Sequence, residues 1–293
     1  MTMTFDRREI SRRSVLGGAA ALAAMPSAVL AQKKSAFDRI RDEIGGRLGL
    51  AVYDSGTGRR FFDGAEARFA MCSTFKVPLA AAVLARADRG EIDLSREIRF
   101  SEADLLDYAP VVKANLSRGA LPIEALLEAA VTMSDNSAAN LVFGQISGPH
   151  GLTQFIRSTG DTLTRSDRDE PTLNNVRNGE VRDTTTPQAM LWLLNALLLG
   201  ETLSPAARAK LTGWMEASPT GKDRLRAGLP KSWRVGDKTG TSGEGYVHDV
   251  AIATPPGRKP ILITCYMDAP MLPAAKANAA HAKVSELVGL LFG

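Results

Sequence analysis

Cysteine and histidine are scarce in this 293-residue chain: two cysteines, Cys72 and Cys265, and three histidines, His150, His248 and His281. Two distant cysteines make neither a disulfide framework nor a CxxC metal pair. Single scattered histidines with no HExxH run exclude a zinc hydrolase, and the sequence asks for no metal and no cofactor. An excess of one charge is lacking too. The formal net charge is +4, and residues 1–31 supply +2 of it through Arg7, Arg8, Arg12 and Arg13 against Asp6 and Glu9. The remaining 32 basic and 30 acidic residues nearly balance, so no nucleic-acid-binding stripe is expected. Internal repeats, low-complexity tracts and a Gly/Ser linker are absent. What is there is ordinary globular composition, 44% hydrophobic and 23% charged, in a chain long enough to bury a core without staples.

The first 31 residues read as an export signal. A basic stretch, residues 7–13, precedes an apolar, Ala-rich run from Val15 to Leu30. That run is too short and too rich in Gly and Ala for a membrane span, which needs about 20 apolar residues. Ser11-Arg12-Arg13-Ser14-Val15-Leu16 suits a twin-arginine signal, with cleavage after Ala31. The mature chain then begins near Gln32, acts in the periplasm or outside the cell, and keeps no membrane anchor.

Hydrophobic periodicity switches twice along the mature chain. Phe37, Ile40 and Ile44 mark a helix over 36–47. Strands follow at 48–53 and from residue 60, divided by the turn-forming Asp54-Ser-Gly-Thr-Gly58. Helical patterns cover 79–89, 122–133, 137–146, 152–158, 187–199 and 204–214. Strands return at 233–238, 247–254 and 260–267, and 278–292 closes as a helix. Strands at both ends with helices between define an α+β fold. One antiparallel sheet would use both terminal segments, giving an α/β domain of residues 32–65 and 215–293. A helical domain, residues 66–214, would be inserted into it. Between residues 158 and 186 periodicity fails. A polar, Pro-interrupted stretch this long, with Leu173 and Val176 as anchors, suits an ordered functional loop.

Four short motifs carry chemistry. In Ser73-Thr-Phe-Lys76, three residues separate a hydroxyl from an amine near a predicted helix start. Positions i and i+3 share a face, so the amine can take the hydroxyl's proton if burial lowers its pKa. Alone, such a pair is more simply an N-cap and a surface lysine. Ser134-Asp135-Asn136 falls between two helices and, alone, is a cap. Lys238-Thr239-Gly240-Thr241 ends a strand, with Gly240 permitting close backbone approach. Glu170 lies in the irregular loop, followed by Pro171 and, four residues on, Asn174.

Together, one SxxK, one SDN and one KTG in that order, with a Glu-bearing loop between the last two, resemble the class A serine β-lactamases. The resemblance spans essentially the whole mature chain. It implies a two-step hydrolysis of penicillins and cephalosporins. Ser73 would be the acylated nucleophile, Lys76 its proton partner and Ser134 the proton relay to the departing ring nitrogen. Glu170 with Asn174 would hold the deacylating water. Asn136 would bind the substrate's side-chain amide, and Tyr108 would gate the site. Lys238, Thr239, Gly240 and Thr241 would line the carboxylate side, and the N–H groups of Ser73 and Thr241 would form the oxyanion hole. Arg168 and Asp183 would close the neck of the loop, and the Glu170–Pro171 peptide would be cis.

Three departures bear on specificity. The strand after KTG has no arginine where some relatives carry one; Arg224 matches the alternative position, its plainer reading being a surface arginine. Cys72 matches a cysteine that some carbapenem-hydrolysing relatives pair with one just after KTG, but that position is Ser242 here, and no Cys72–Cys265 bond is expected. Thr241 with Ser242 resembles sites that admit bulky cephalosporins. The nearest alternative, a penicillin-binding DD-peptidase, lacks the Glu170 loop. A ligand-binding descendant without catalysis would show degraded motifs. The expected partner is a small-molecule β-lactam substrate, and the expected state is a monomer.

Overall fold

In the computed structural model, residues 27–176 and 179–293 are described. Residues 1–26 of the expected export signal lie outside them. The chain divides into two units, Met1–Ala36 and Phe37–Gly293. The described part of the first is helical, the start of α1 (Ser27–Ile44). Phe37, Ile40 and Ile44, the stripe expected of this helix, are all buried.

A five-stranded sheet lies in the second unit, ordered β2-β1-β9-β8-β7. Its strands are β1 (Arg47–Asp54), β2 (Arg60–Asp63), β7 (Arg234–Thr241), β8 (Tyr246–Thr254) and β9 (Ile261–Asp268). Every pairing is antiparallel, with Leu50 opposite Cys265 and Cys265 opposite Asp249. Strands from both chain ends thus build one sheet, and β7, which carries the KTG motif, is an edge. The turn after β1 forms as expected: Asp54 accepts from the Gly56 N–H at 2.8 Å and pairs with Arg258 at 2.8 Å.

Between β2 and β7 the chain is chiefly helical: α2 (Lys76–Asp88), α3 (Pro110–Ala114), α4 (Ile123–Thr132), α5 (Asn136–Phe143), α6 (Gly148–Ser158), α7 (Pro187–Leu198), α8 (Pro205–Ala217) and α9 (Leu225–Gly228). Every residue of α2 from Lys76 to Ala85 is buried. A helix apolar all round belongs inside a bundle, and α2 packs against α4, α5, α6, α7 and α8. α10 (Ala274–Phe292) closes the chain.

Several boundaries differ from expectation. The helix at α2 begins at Lys76, preceded by a 3-10 turn, Cys72–Phe75. Ser73 therefore sits on that turn and not on an α-helix. α6 and α10 each start four residues earlier than periodicity suggested. Two short ladders have no sequence signal: β3 (Phe69–Ala70) with β6 (Thr184–Thr185), and β4 (Glu97–Arg99) with β5 (Ala120–Pro122). Two- and three-residue strands are too short to display an alternation.

Candidate active site

The three motifs and the loop glutamate meet at one point. Lys76 Nζ lies 2.9 Å from Ser73 Oγ, 2.8 Å from the Ser134 carbonyl and 2.5 Å from Asn136 Oδ1. Glu170 Oε1 lies 3.2 Å from the same ammonium. On the far side of Ser134, Lys238 Nζ donates to Ser134 Oγ at 3.0 Å. Ser73, Lys76, Ser134 and Lys238 thus form a continuous polar chain, with both lysines fully buried. Burial pushes the Lys76 pKa down, against the pull of Glu170, which favours the charged form. Burial and the neighbouring Lys76 hold Lys238 well below the ordinary lysine range.

Local folding explains this placement. Cys72 and Ser134 both have positive φ, 44° and 58°, so the chain turns sharply beside each catalytic candidate. The middle residue of the SDN motif is structural: the buried Asp135 carboxylate accepts from the N–H groups of Ala138, Val111 and Val112 at 2.8, 2.8 and 3.0 Å. It caps α5 and thereby fixes Ser134 and Asn136 on either side. A Cβ at Gly240 would meet the Met71 carbonyl at 3.0 Å and Cys72 Cβ at 3.1 Å. Glycine lets β7 lie this close to the turn that carries Ser73 without displacing its neighbours.

The irregular segment is an ordered loop over its described residues. Asp183 Oδ2 receives Arg168 Nε at 2.6 Å, and Asp183 Oδ1 accepts from the N–H groups of Asp167 and Arg168. The Glu170–Pro171 peptide is cis. Leu173 enters the main core, while Val176 packs with Ala70, Cys72 and Tyr246 in a separate small cluster. Asn174 Nδ2 donates to Glu170 Oε2 at 2.6 Å. Glu170 Oε1 and Asn174 Oδ1 are buried and lack a well-aligned hydrogen bond from the protein.

The remaining expected residues are tied to the same motifs. Thr239 Oγ1 donates to Thr220 Oγ1 at 2.8 Å. Arg224 is 9% exposed, and not a solvated surface arginine. Its guanidinium donates to the His248 carbonyl at 2.6 Å, the Gly240 carbonyl at 3.0 Å, Thr241 Oγ1 at 2.7 Å and Asn278 Oδ1 at 3.0 Å. Tyr108 is half exposed, and its carbonyl accepts from the Asn136 N–H at 3.0 Å. Cys72 and Cys265 are free and buried.

Two residues go unread in the sequence. Asn140 brackets Glu170, its Nδ2 donating to the Glu170 carbonyl at 2.8 Å and its Oδ1 accepting from the Glu170 N–H at 3.0 Å. It lies one helical turn beyond Asn136, the one signal that could have found it. Thr220 has no such signal.

Comparison with known proteins agrees with this geometry. A family model described as the Beta-lactamase enzyme family matches residues 32–290. The chain is 40% identical over 258 residues to β-lactamase L2 of Stenotrophomonas maltophilia, covering 88% of this chain and 85% of that one. It is 38% identical over 275 residues to β-lactamase CTX-M-8 of Citrobacter amalonaticus, covering 94% and 93%. The solved structure of an ancestral class A β-lactamase of Gram-negative bacteria superposes with a TM-score of 0.87 at 49% identity, covering 89% of this chain and all of that one. The chain belongs to the class A β-lactamases, serine hydrolases with this α+β fold.

Proposed function

We propose that the protein opens the β-lactam ring of penicillins and cephalosporins through a Ser73 acyl-enzyme that a Glu170-held water then releases. The observation that carries this reading is Lys76 Nζ, within reach of Ser73 Oγ, Ser134 and Glu170 at once. Ser73 Oγ attacks the ring carbonyl, and its proton passes to Lys76 or, through water, to Glu170. Ser134 Oγ hands a proton to the ring nitrogen as it leaves, and Lys238 orients that hydroxyl. The N–H groups of Ser73 and Thr241 hold the oxyanion. Asn174 Oδ1, a buried acceptor with no hydrogen bond from the protein, and Glu170 Oε1, which faces the Lys76 ammonium at 3.2 Å, would receive the two hydrogens of the attacking water. Lys238, Thr239, Thr241 and Arg224 would receive the substrate's carboxylate, Asn136 its side-chain amide, and Tyr108 would border the entrance. Thr241 with Ser242 would admit bulky cephalosporin side chains. Residues 1–31 would direct export to the periplasm and be removed, leaving a monomer.

The test compares wild type with Glu170→Gln on a chromogenic cephalosporin, with intact mass taken after mixing. The expected result is rapid wild-type turnover, with deacylation of the variant slowed roughly 10²–10⁴-fold and a stable acyl adduct on Ser73. A stoichiometric wild-type burst with a long-lived adduct would overturn the reading in favour of a penicillin-binding enzyme.

A further inference from the structure

Tyr246 opens β8 immediately after the β7–β8 turn, which its carbonyl closes by accepting from the Ser242 N–H at 3.0 Å. Its ring is buried, and its hydroxyl donates to the Val176 carbonyl at 3.2 Å. Val176 lies two residues past Asn174, on the limb of the loop that leads away from Glu170. The cluster it joins is separate from the main core and contains three other residues: Ala70 of β3, Cys72 and Tyr246. The cluster thus joins the loop that holds Glu170 and Asn174 to the residue just before Ser73. Burial raises the phenol's pKa, so it stays a donor through neutral and mildly alkaline pH.

The loop is held at other places by different means. Its neck is closed by the Arg168–Asp183 ion pair, Glu170 is bracketed by Asn140, and Leu173 enters the main core. Arg168 also donates to the Asn175 carbonyl at 3.2 Å. The next carbonyl along is the one Tyr246 takes. Because Asn174 must hold its Nδ2 against Glu170 Oε2 at 2.6 Å, drift of the segment that follows it would tilt the amide and loosen the carboxylate.

We propose that Tyr246 is a positioning residue for deacylation: through the Val176 carbonyl and side chain it sets Asn174 and Glu170 relative to the turn that carries Ser73. The inference rests on the two-step reading above. The hydroxyl serves the loop alone, whereas the ring serves both the loop and Cys72.

Two variants separate these roles. Tyr246→Phe keeps the ring and removes the hydrogen bond; Tyr246→Ala removes both. Acylation and deacylation rate constants are read separately, by rapid-quench intact mass, for a cephalosporin whose wild-type burst marks deacylation as rate-limiting. In Tyr246→Phe deacylation should slow about three- to tenfold. kcat and KM should fall together, leaving kcat/KM, which reports acylation, within twofold of wild type. Tyr246→Ala should slow deacylation further and reduce kcat/KM as well. Folding is checked by thermal unfolding, and Tyr246→Phe is close to isosteric. Deacylation within twofold of wild type in Tyr246→Phe overturns the proposal, and so does a fall in kcat/KM as large as that in kcat. If the wild type forms no acyl-enzyme, or if Glu170→Gln deacylates normally, the two-step reading has failed instead.

Discussion

Arg224 shows how a single buried charge is used. A guanidinium offers five donors in a rigid fork, and here four acceptors from three segments receive them: Gly240 and Thr241 of β7, His248 of β8 and Asn278 of α10. Burial lowers its pKa, opposed by the buried Asp249 and Asp237, and it stays charged beside Thr239 and Thr241. Arg224→Ala should raise KM for a β-lactam bearing a free carboxylate by about 10- to 100-fold, the range expected when a charge-assisted hydrogen bond is lost. Arg224→Lys should recover little of this, because one ammonium cannot reach the same fork of acceptors. The check is kcat/KM for the free acid against its methyl ester. A wild-type preference for the acid that collapses in Arg224→Ala confirms a carboxylate-binding role, and an undiminished preference assigns Arg224 to structure alone. Lys76 is balanced in the same way at a single side chain, with burial favouring the neutral amine and Glu170 the ammonium.

At the scale of elements, the site depends on how closely β7 lies to the 3-10 turn Cys72–Phe75. Gly240 faces that turn, and a methyl there would press on Met71, Cys72 and Thr74 at 3.0–3.2 Å. Gly240→Ala should therefore push β7 outward and carry Lys238 and Thr241 away from Ser73. The neighbours must give by a few tenths of an ångström, so we expect acylation to fall about two- to tenfold, a fraction of the loss that a misplacement of about 1 Å can cause, with a stability cost of about 1–3 kcal/mol from overpacking. Single-turnover acylation and urea unfolding measure the two effects, and unchanged acylation would mean that the strand can yield. Much of this arrangement is legible in sequence, because it depends on local patterns. The SxxK, SDN and KTG spacings, the alternating strands and the amphipathic helices each announce themselves within a few residues. Asn140, Thr220 and Tyr246 do not. Each acts on a segment distant in the chain, through a backbone group or a hydroxyl that any sequence could offer. The same reason hides the β3–β6 ladder, whose partners are more than a hundred residues apart. The loop was legible as a failure of periodicity, and Leu173 and Val176 as its anchors, but their division between two clusters was not.

At the scale of the whole molecule, the sheet and the closing helix enclose titratable groups that no solvent reaches. His248 on β8 and His281 on α10 are fully buried, with His281 Nε2 3.2 Å from the Val247 carbonyl. Burial, followed by the charge of Arg224, lowers the His281 pKa from 6.5 to about 3; burial holds His248 well below its ordinary value. Both are neutral in the folded protein, while the unfolded chain takes up protons below pH 6.5. The folded state binds fewer protons, so stability is full above pH 6.5 and is lost as pH falls toward 3. For His281 the loss between pH 7 and pH 5 is about 2 kcal/mol. Asp237 works in the opposite sense. Burial raises the Asp237 carboxyl against the pull of Arg226, and the neighbouring buried Asp249 is raised with it, so at this carboxyl pair acidification favours the folded state. The wild-type pH dependence is thus a partial cancellation, and a variant is needed to separate the two. His281→Leu removes one titrating group at similar volume, with a cost from the lost hydrogen bond that is independent of pH. Urea unfolding at pH 7 and pH 5 should show wild type losing about 2 kcal/mol more than the variant on acidification. Equal losses in the two proteins would mean that His281 takes up its proton in the folded state as readily as in the unfolded one.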